Sequence, residues 1–147
     1  MGRQEGFTLL EMIVVILLVA VGLSVVSFSL VKGLDSLRGR EAGRDLSLAL
    51  RAARARAITD GQASRVEFDL PGRRYQAPGQ PAHALPPRMN LRLTTAAALR
   101  VGRHAAIQFY PDGSSTGGNV LLERDGQTWR VDVAWLTGEV RWREVRP

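Results

Sequence analysis

The chain has 147 residues, 45% apolar and 23% charged, which suits one ordinary domain and excludes both intrinsic disorder and a wholly membrane-embedded protein. It contains no cysteine, so a disulfide framework and thiolate-ligated metal centres are excluded. The formal charge is +6, an excess that can attract nucleic acid or anionic lipid but is modest for this length.

Charge is distributed unevenly. Residues 1–6 form a short polar leader carrying Arg3 and Glu5, and from Met12 to Val31 no side chain is charged. A helix of about twenty residues reaches about 30 Å, the thickness of a bilayer's hydrocarbon core. A cleaved secretory signal would have an apolar region of only about 7–15 residues. The run also lacks the several basic residues that precede such a signal. Residues 7–31 are therefore expected to form a membrane-spanning helix. Residues 32–60 continue it as an amphipathic helix, with Leu46, Leu50, Ala53 and Ala57 on one face and Arg51, Arg54 and Arg56 largely elsewhere. Gly33, Gly39 and Gly43 weaken its first half, by up to ~1 kcal/mol each against Ala. Asp60-Gly61 supplies the stop.

After Gly61 the apolar period falls from 3.6 to 2. Val66, Phe68 and Leu70 alternate with charged residues until Pro71-Gly72 turns the chain, and Tyr75 begins a brief return. Residues 77–87 read as a proline-rich loop. Alternation resumes at Met89, Leu91 and Leu93 and again at Ala105, Ile107 and Phe109, with 96–100 ambiguous between them. A Gly/Ser loop over 111–119 precedes a strand over 120–123, which Asp125-Gly126 folds into a hairpin. Trp129, Val131, Val133 and Trp135 alternate along the next strand, and after a turn at 137–139 a last strand carries Val140, Trp142 and Val145. The expected fold class is α+β, a long N-terminal membrane helix followed by an antiparallel, sandwich-like β-rich head over 61–147.

The parts needed for catalysis are missing. His83 and His104 are isolated and read as surface residues. No zinc-binding HExxH, Cys/His cluster or GxSxG nucleophile motif is present. The loop Gly113-Ser114-Ser115-Thr116-Gly117-Gly118 could be taken for a phosphate cradle. It leads into a strand-like Val120-Leu121-Leu122 and has no Lys, so it reads as a structural hairpin loop. No catalytic residue, metal or cofactor is expected. Glu11 requires an explanation, since a carboxylate in hydrocarbon costs roughly 2.5–3.5 kcal/mol, less near a helix end. Either it reaches the headgroups or it meets a cation that the run itself does not offer.

Gly6-Phe7-Thr8-Leu9-Leu10-Glu11 resembles the processing site of type IV pilins and type II secretion pseudopilins. That resemblance implies cleavage by a prepilin peptidase between Gly6 and Phe7 on the cytoplasmic face, N-methylation of Phe7, and an assembly contact between Glu11 and the first-residue amine of a neighbouring subunit. Phe109-Tyr110-Pro111-Asp112-Gly113-Ser114-Ser115-Thr116-Gly117-Gly118, with Trp135-Leu136-Thr137-Gly138 downstream, is similar to the GspH/FimT-type head of minor pseudopilins and pilins, nearest to the H-type minor pseudopilins of type II secretion. The resemblance covers most of the chain from Gly6 to Val140. It implies no enzyme but a structural subunit at or near the tip of a periplasmic pseudopilus, helping to export folded proteins across the outer membrane. Its partners would be other minor and major pseudopilins, the prepilin peptidase and inner-membrane lipid. The N-terminus would be cytoplasmic and the head periplasmic.

Two observations compete with that reading. Lys32, Arg38, Arg40 and Arg44 follow the apolar run, and the positive-inside rule alone would place the carboxyl-terminal part in the cytoplasm. The processing motif prevails, since the leader must face its peptidase. The alternative function is that of a FimT-like minor type IV pilin binding DNA during uptake, for which Arg130, Arg141, Arg143 and Arg146 would supply cations. Asp132, Glu139 and Glu144 are interleaved with them, and a solvated mixed-charge strand face accounts for that pattern without DNA.

Overall fold

The structure, a computed structural model, describes residues 9–95, 100–101 and 104–145, with the side chains of 25–36 and 100–101 outside that description. Gly6, Phe7 and Arg146 lie outside the described residues, as do 96–99 of the ambiguous segment. The first element is α1, Leu9–Asp60. No proline interrupts it, the first one in the chain being Pro71, and Gly61 ends it with a φ of 64°. The chain divides into two compact units, Met1–Ser36 and Leu37–Pro147.

In the first unit every large apolar side chain from Leu9 to Leu23 is exposed, Leu9 at 79% and Leu18 at 65%. Large apolar side chains exposed on all sides of a helix, and left uncovered among the described residues, need lipid or other helices around them. Among the described residues no helix is long and apolar enough to cross a membrane. The described side chains of the apolar run stop at Ser24.

In the second unit α1 is amphipathic as the sequence period requires. Leu46, Leu50, Ala53 and Ala57 are buried, and they join one hydrophobic cluster with residues of two antiparallel sheets. The strands are β1 Ser64–Asp69, β2 Arg74–Gln76, β3 His83–Ala84, β4 Asn90–Thr94, β5 Arg100–Val101, β6 His104–Phe109, β7 Gly118–Arg124, β8 Gln127–Val133 and β9 Val140–Val145. One sheet has the order β3-β2-β1-β6-β5 and the other β4-β7-β8-β9. Val66, Phe68, Ile107 and Phe109 bring the first sheet into the core, and Val120, Leu122, Trp129 and Val131 bring the second. Each set sits at every second position, as strands with one buried face must have it. The hairpin at Asp125-Gly126 has both residues at positive φ, 47° and 80°, the geometry of a type I′ turn, which suits strand twist.

Two sequence expectations change. The proline-rich segment 77–87 is not all loop, because His83 and Ala84 pair with Tyr75 and Arg74 as β3. Alternation does not carry Trp135 into the core: β8 ends at Val133, and Trp135 is 69% exposed. The chain reverses at Ala134, whose N–H donates to the Glu139 carbonyl and whose carbonyl accepts from Gly138. These turn bonds replace the ladder bonds that a longer strand would need.

The glycines that weaken α1 also give it a surface. A Cβ on Gly39 would overlap the six-membered ring of Trp129, and one on Gly43 would overlap the indole nitrogen of Trp142. These residues are one helical turn apart, so they form a notch that admits an aromatic side chain from β8 and another from β9. Trp129 is fully buried, and removal of such a side chain costs about 3–5 kcal/mol.

Candidate functional site

The two motifs that carry the head's resemblance, 109–118 and 135–138, meet in one hydrogen-bonded junction. Asp112 Oδ1 accepts from the Ser114 N–H at 2.9 Å and from Ser114 Oγ at 2.6 Å. These side-chain and backbone bonds hold the Asp112 carboxyl below its ordinary range. Ser115 then reaches across, its N–H donating to the Trp135 carbonyl at 2.8 Å and its Oγ to the Ala134 carbonyl at 2.9 Å. Gly117 and Gly138 are the points of closest approach. A Cβ on Gly117 would press on Trp135, and one on Gly138 would overlap the Gly113 carbonyl oxygen. Both glycines have positive φ, 67° and 63°, so glycine is favoured on two separate grounds.

Helix α1 anchors this junction. Arg54 Nε donates to the Gly113 carbonyl at 3.0 Å and Arg51 Nη2 to the Val140 carbonyl at 3.0 Å. Sequence reading placed these arginines only away from the buried face and missed their structural role. The signal was present: Arg51 and Arg54 lie three residues apart beside the apolar stripe, where long cations reach loops packed alongside.

The loop's chemistry is also decided here. The N–H groups of Gly113, Ser114, Ser115, Thr116 and Gly117 donate to Tyr110 O, Asp112 Oδ1, Trp135 O, Gln108 O and Ser115 Oγ respectively. Five consecutive donors committed within the chain leave no nest for a phosphate. The segment is a corner between the two sheets.

Three of the four arginines considered for nucleic acid, Arg130, Arg141 and Arg143, are held by carboxylates, and Arg146 lies outside the described residues. Arg141 makes two 2.9 Å bonds to Glu139. Asp132 takes Arg130 at 2.6 Å on one oxygen and Arg143 at 3.1 Å on the other. The register β8–β9 places Asp132 opposite Arg141 and Arg130 opposite Arg143. A backbone-neutralising patch needs cations free to meet phosphates, whereas these three form a mixed-charge network. His83 and His104 are exposed, His83 resting against the Tyr75 ring at 5.2 Å between centroids. Burial pushes the Tyr75 phenol up to about 12, with Asp45 adding to the shift. Glu11 is exposed in the first turn of α1, where the positive end of the helix favours an anion.

A single helix that carries exposed apolar side chains from Leu9 to Leu23 and further on buries one stripe against two antiparallel sheets has the pilin-like fold. Residues 42–137 match the family described as type II transport protein GspH, and residues 1–27 match the prokaryotic N-terminal methylation motif. The type II secretion system protein H of Xanthomonas campestris pv. campestris is 41% identical over 140 residues, covering 95% of this chain and 83% of that protein. Its Escherichia coli counterpart is 40% identical over 81 residues, covering 54% of this chain and 48% of that protein. Among solved structures, the minor pseudopilin EpsH of Vibrio cholerae has a TM-score of 0.58 at 16% identity, covering 73% of this chain and 97% of that one. The type IV minor pilin FimU of Pseudomonas aeruginosa has a TM-score of 0.54 at 14% identity, covering 71% and 87%. The structural likenesses establish the fold. The chain belongs to the type II transport protein GspH family.

Proposed function

We propose that the chain is a minor pseudopilin of a type II secretion system, a structural subunit at or near the tip of the periplasmic pseudopilus that helps move folded proteins across the outer membrane. The observation that carries this reading is the pairing, on one chain, of an N-terminal methylation motif over 1–27 with a GspH-type head over 42–137. The apolar run from Met12 to Val31 anchors the precursor in the inner membrane, with residues 1–6 in the cytoplasm and the head in the periplasm. Prepilin peptidase removes the leader after Gly6, and Phe7 becomes the methylated first residue. Once released from lipid, the same apolar helix packs among the helices of other major and minor pseudopilins.

Glu11 then has a defined task. In lipid it can be hydrated at the headgroup level. In the assembled helical core an unpaired carboxylate is costly, and the amine of a neighbour's Phe7 offsets that cost. The test is Glu11→Ala in a secreting strain. The variant is expected to be cleaved like the wild type but to be recovered with other pseudopilins at a tenth of the yield or less, with exoproteins retained in the periplasm. Wild-type crosslinking yield and normal secretion would refute the assignment.

A further inference from the structure

Strand β1 is longer than the neighbour on its outer side. In its ladder with β6, Arg65 stands opposite Gln108 and Glu67 opposite Ala106. Gln108 turns both main-chain groups away from β1: its N–H donates to Thr116 Oγ1 at 3.1 Å, and its carbonyl accepts from the Thr116 N–H at 2.9 Å. The Ala106 carbonyl likewise accepts from Thr95 Oγ1 at 2.9 Å. Residues directly opposite in an antiparallel pair either exchange both bonds or exchange neither. Arg65, Glu67 and Asp69 therefore point their N–H and C=O groups to the other edge of β1. There Gln76 and Arg74 meet Glu67 and Asp69, but among the described residues no strand meets Arg65. The Arg65 side chain pairs with Glu67 of its own strand at 2.8 Å and does not supply the missing main-chain bonds.

A tight turn makes this gap. In Ala77-Pro78-Gly79-Gln80 the Gln80 N–H donates to the Ala77 carbonyl at 3.1 Å, and Gly79 has a φ of 71°. Proline second and glycine third is the pattern of a type II turn. Arg56 Nη1 fixes it by donating to the Pro78 carbonyl at 3.1 Å. Between the turn, the end of α1 and the open edge lies a polar slot of about 420 Å³, bordered by Arg56, Asp60, Gln62, Ser64 and Arg65. Ser64 is only 8% exposed, and its Oγ is buried without a hydrogen-bond partner. Buried hydroxyls are ordinarily paired. The slot thus brings together an orphaned side-chain oxygen and a main-chain donor and acceptor that no strand satisfies.

An extended polypeptide supplies both. Laid along the line of β2, it gives Arg65 an acceptor and a donor, as strands added to open sheet edges do. The residues flanking that pair then face the side on which Ser64 lies. Arg56 and Asp60 neutralise each other there at 3.2 Å, so a short neutral side chain such as Ser, Thr or Asn suits the orphaned hydroxyl. The slot borders the last turn of α1, whereas the chain enters the head at Leu37. On a subunit at or near a pseudopilus tip, that far end of the head faces what is being moved. We propose that the slot binds an extended segment of an exported protein by strand addition to the Arg65 edge of β1. This rests on the secretion reading and adds to it the surface that meets the cargo.

The probe is an exported protein of the same strain that stays in the periplasm when the gene for this chain is deleted. Because the chain has no native cysteine, full-length Gln62→Cys takes a single benzophenone-maleimide at the slot. Photolysis of this chain, purified in detergent, with the purified probe is expected to give an adduct. Proline lacks an N–H and is tolerated where that N–H faces no strand, so Arg65→Pro removes the donor and spares the β6 ladder. It should cut the adduct about tenfold, for one lost hydrogen bond and an acceptor left unmatched. Arg65→Ala, which keeps the N–H and loses only an exposed ion pair, should stay within about twofold of the parent. A second measurement needs no variant at position 65: the probe should slow hydrogen exchange at the wild-type Arg65 amide about tenfold. An unchanged exchange rate, no adduct, or equal losses in Arg65→Ala and Arg65→Pro would overturn the proposal. Retention of the probe in the deletion strain without these signals would reject the contact and leave the secretion reading intact. Normal export in the deletion strain would remove both.

Discussion

Asp69 closes the β1–β2 turn with both oxygens. Oδ1 accepts from the Gly72 N–H at 2.9 Å and Oδ2 from Arg74 Nε at 2.8 Å. The Arg74 bond first, and the Gly72 bond second, hold its carboxyl below the ordinary 3.8. A carboxylate whose folded pKa is depressed adds stability above its unfolded value and loses it as pH falls through the folded one. Asp69→Asn should therefore lower the Tm of the head at neutral pH. The gap from wild type should shrink steadily below pH 3.8 as Asp69 protonates, which a series of thermal melts would show. A gap that stays constant with pH would mean the turn depends on shape and not on this charge. The sequence made the turn legible through Pro71-Gly72, but Arg74 as its partner was not, because cross-turn pairing depends on how the hairpin closes.

At the scale of elements, α1 shows both what periodicity reveals and what it hides. The stripe Leu46, Leu50, Ala53 and Ala57 reads directly from the 3.6-residue spacing, and all four are buried. Gly39 and Gly43 read as flaws in the same helix, because helix propensity has no term for a side chain arriving from ninety residues further on. They are the seats of Trp129 and Trp142. The two views differ in sign for Gly43→Ala. Propensity alone gives a gain of about 1 kcal/mol, whereas overpacking against an indole costs typically about 1–3 kcal/mol. Urea unfolding of a head fragment beginning at Leu37, where the second compact unit starts, is expected to show net destabilisation, and a gain would remove the notch from the explanation of the fold. Trp135 was misread for a related reason. Alternation through Val131 and Val133 extends naturally to it, but the turn bonds of Ala134 with Gly138 and Glu139, and the bond from the distant Ser115 to the Trp135 carbonyl, take its backbone out of the ladder.

For the whole molecule, the change of period after Gly61 revealed a helix followed by strands, and the antiparallel sheets follow that plan. Their order did not follow from it, because passage from one sheet to the other is set by corners such as 110–117, whose hydrogen bonds join residues distant in sequence. Function was legible only through the two short motifs. Charge counting and the processing motif imply opposite topologies, and arginine content suggested nucleic acid where Arg130, Arg141 and Arg143 are paired with carboxylates.

The reading as a processed secretion subunit rests most heavily on what happens at Gly6 and Phe7. A peptidase groove that accepts the backbone closely at Gly6 has no room for a branched side chain there. The decisive measurement is the N-terminal mass of the protein isolated from membranes of cells with an active prepilin peptidase, for the wild type and for Gly6→Val. The expected result is a wild-type chain beginning at N-methylated Phe7 and a variant that keeps residues 1–6. A wild-type chain that retains its leader, or a Gly6→Val chain that begins at Phe7, would contradict it.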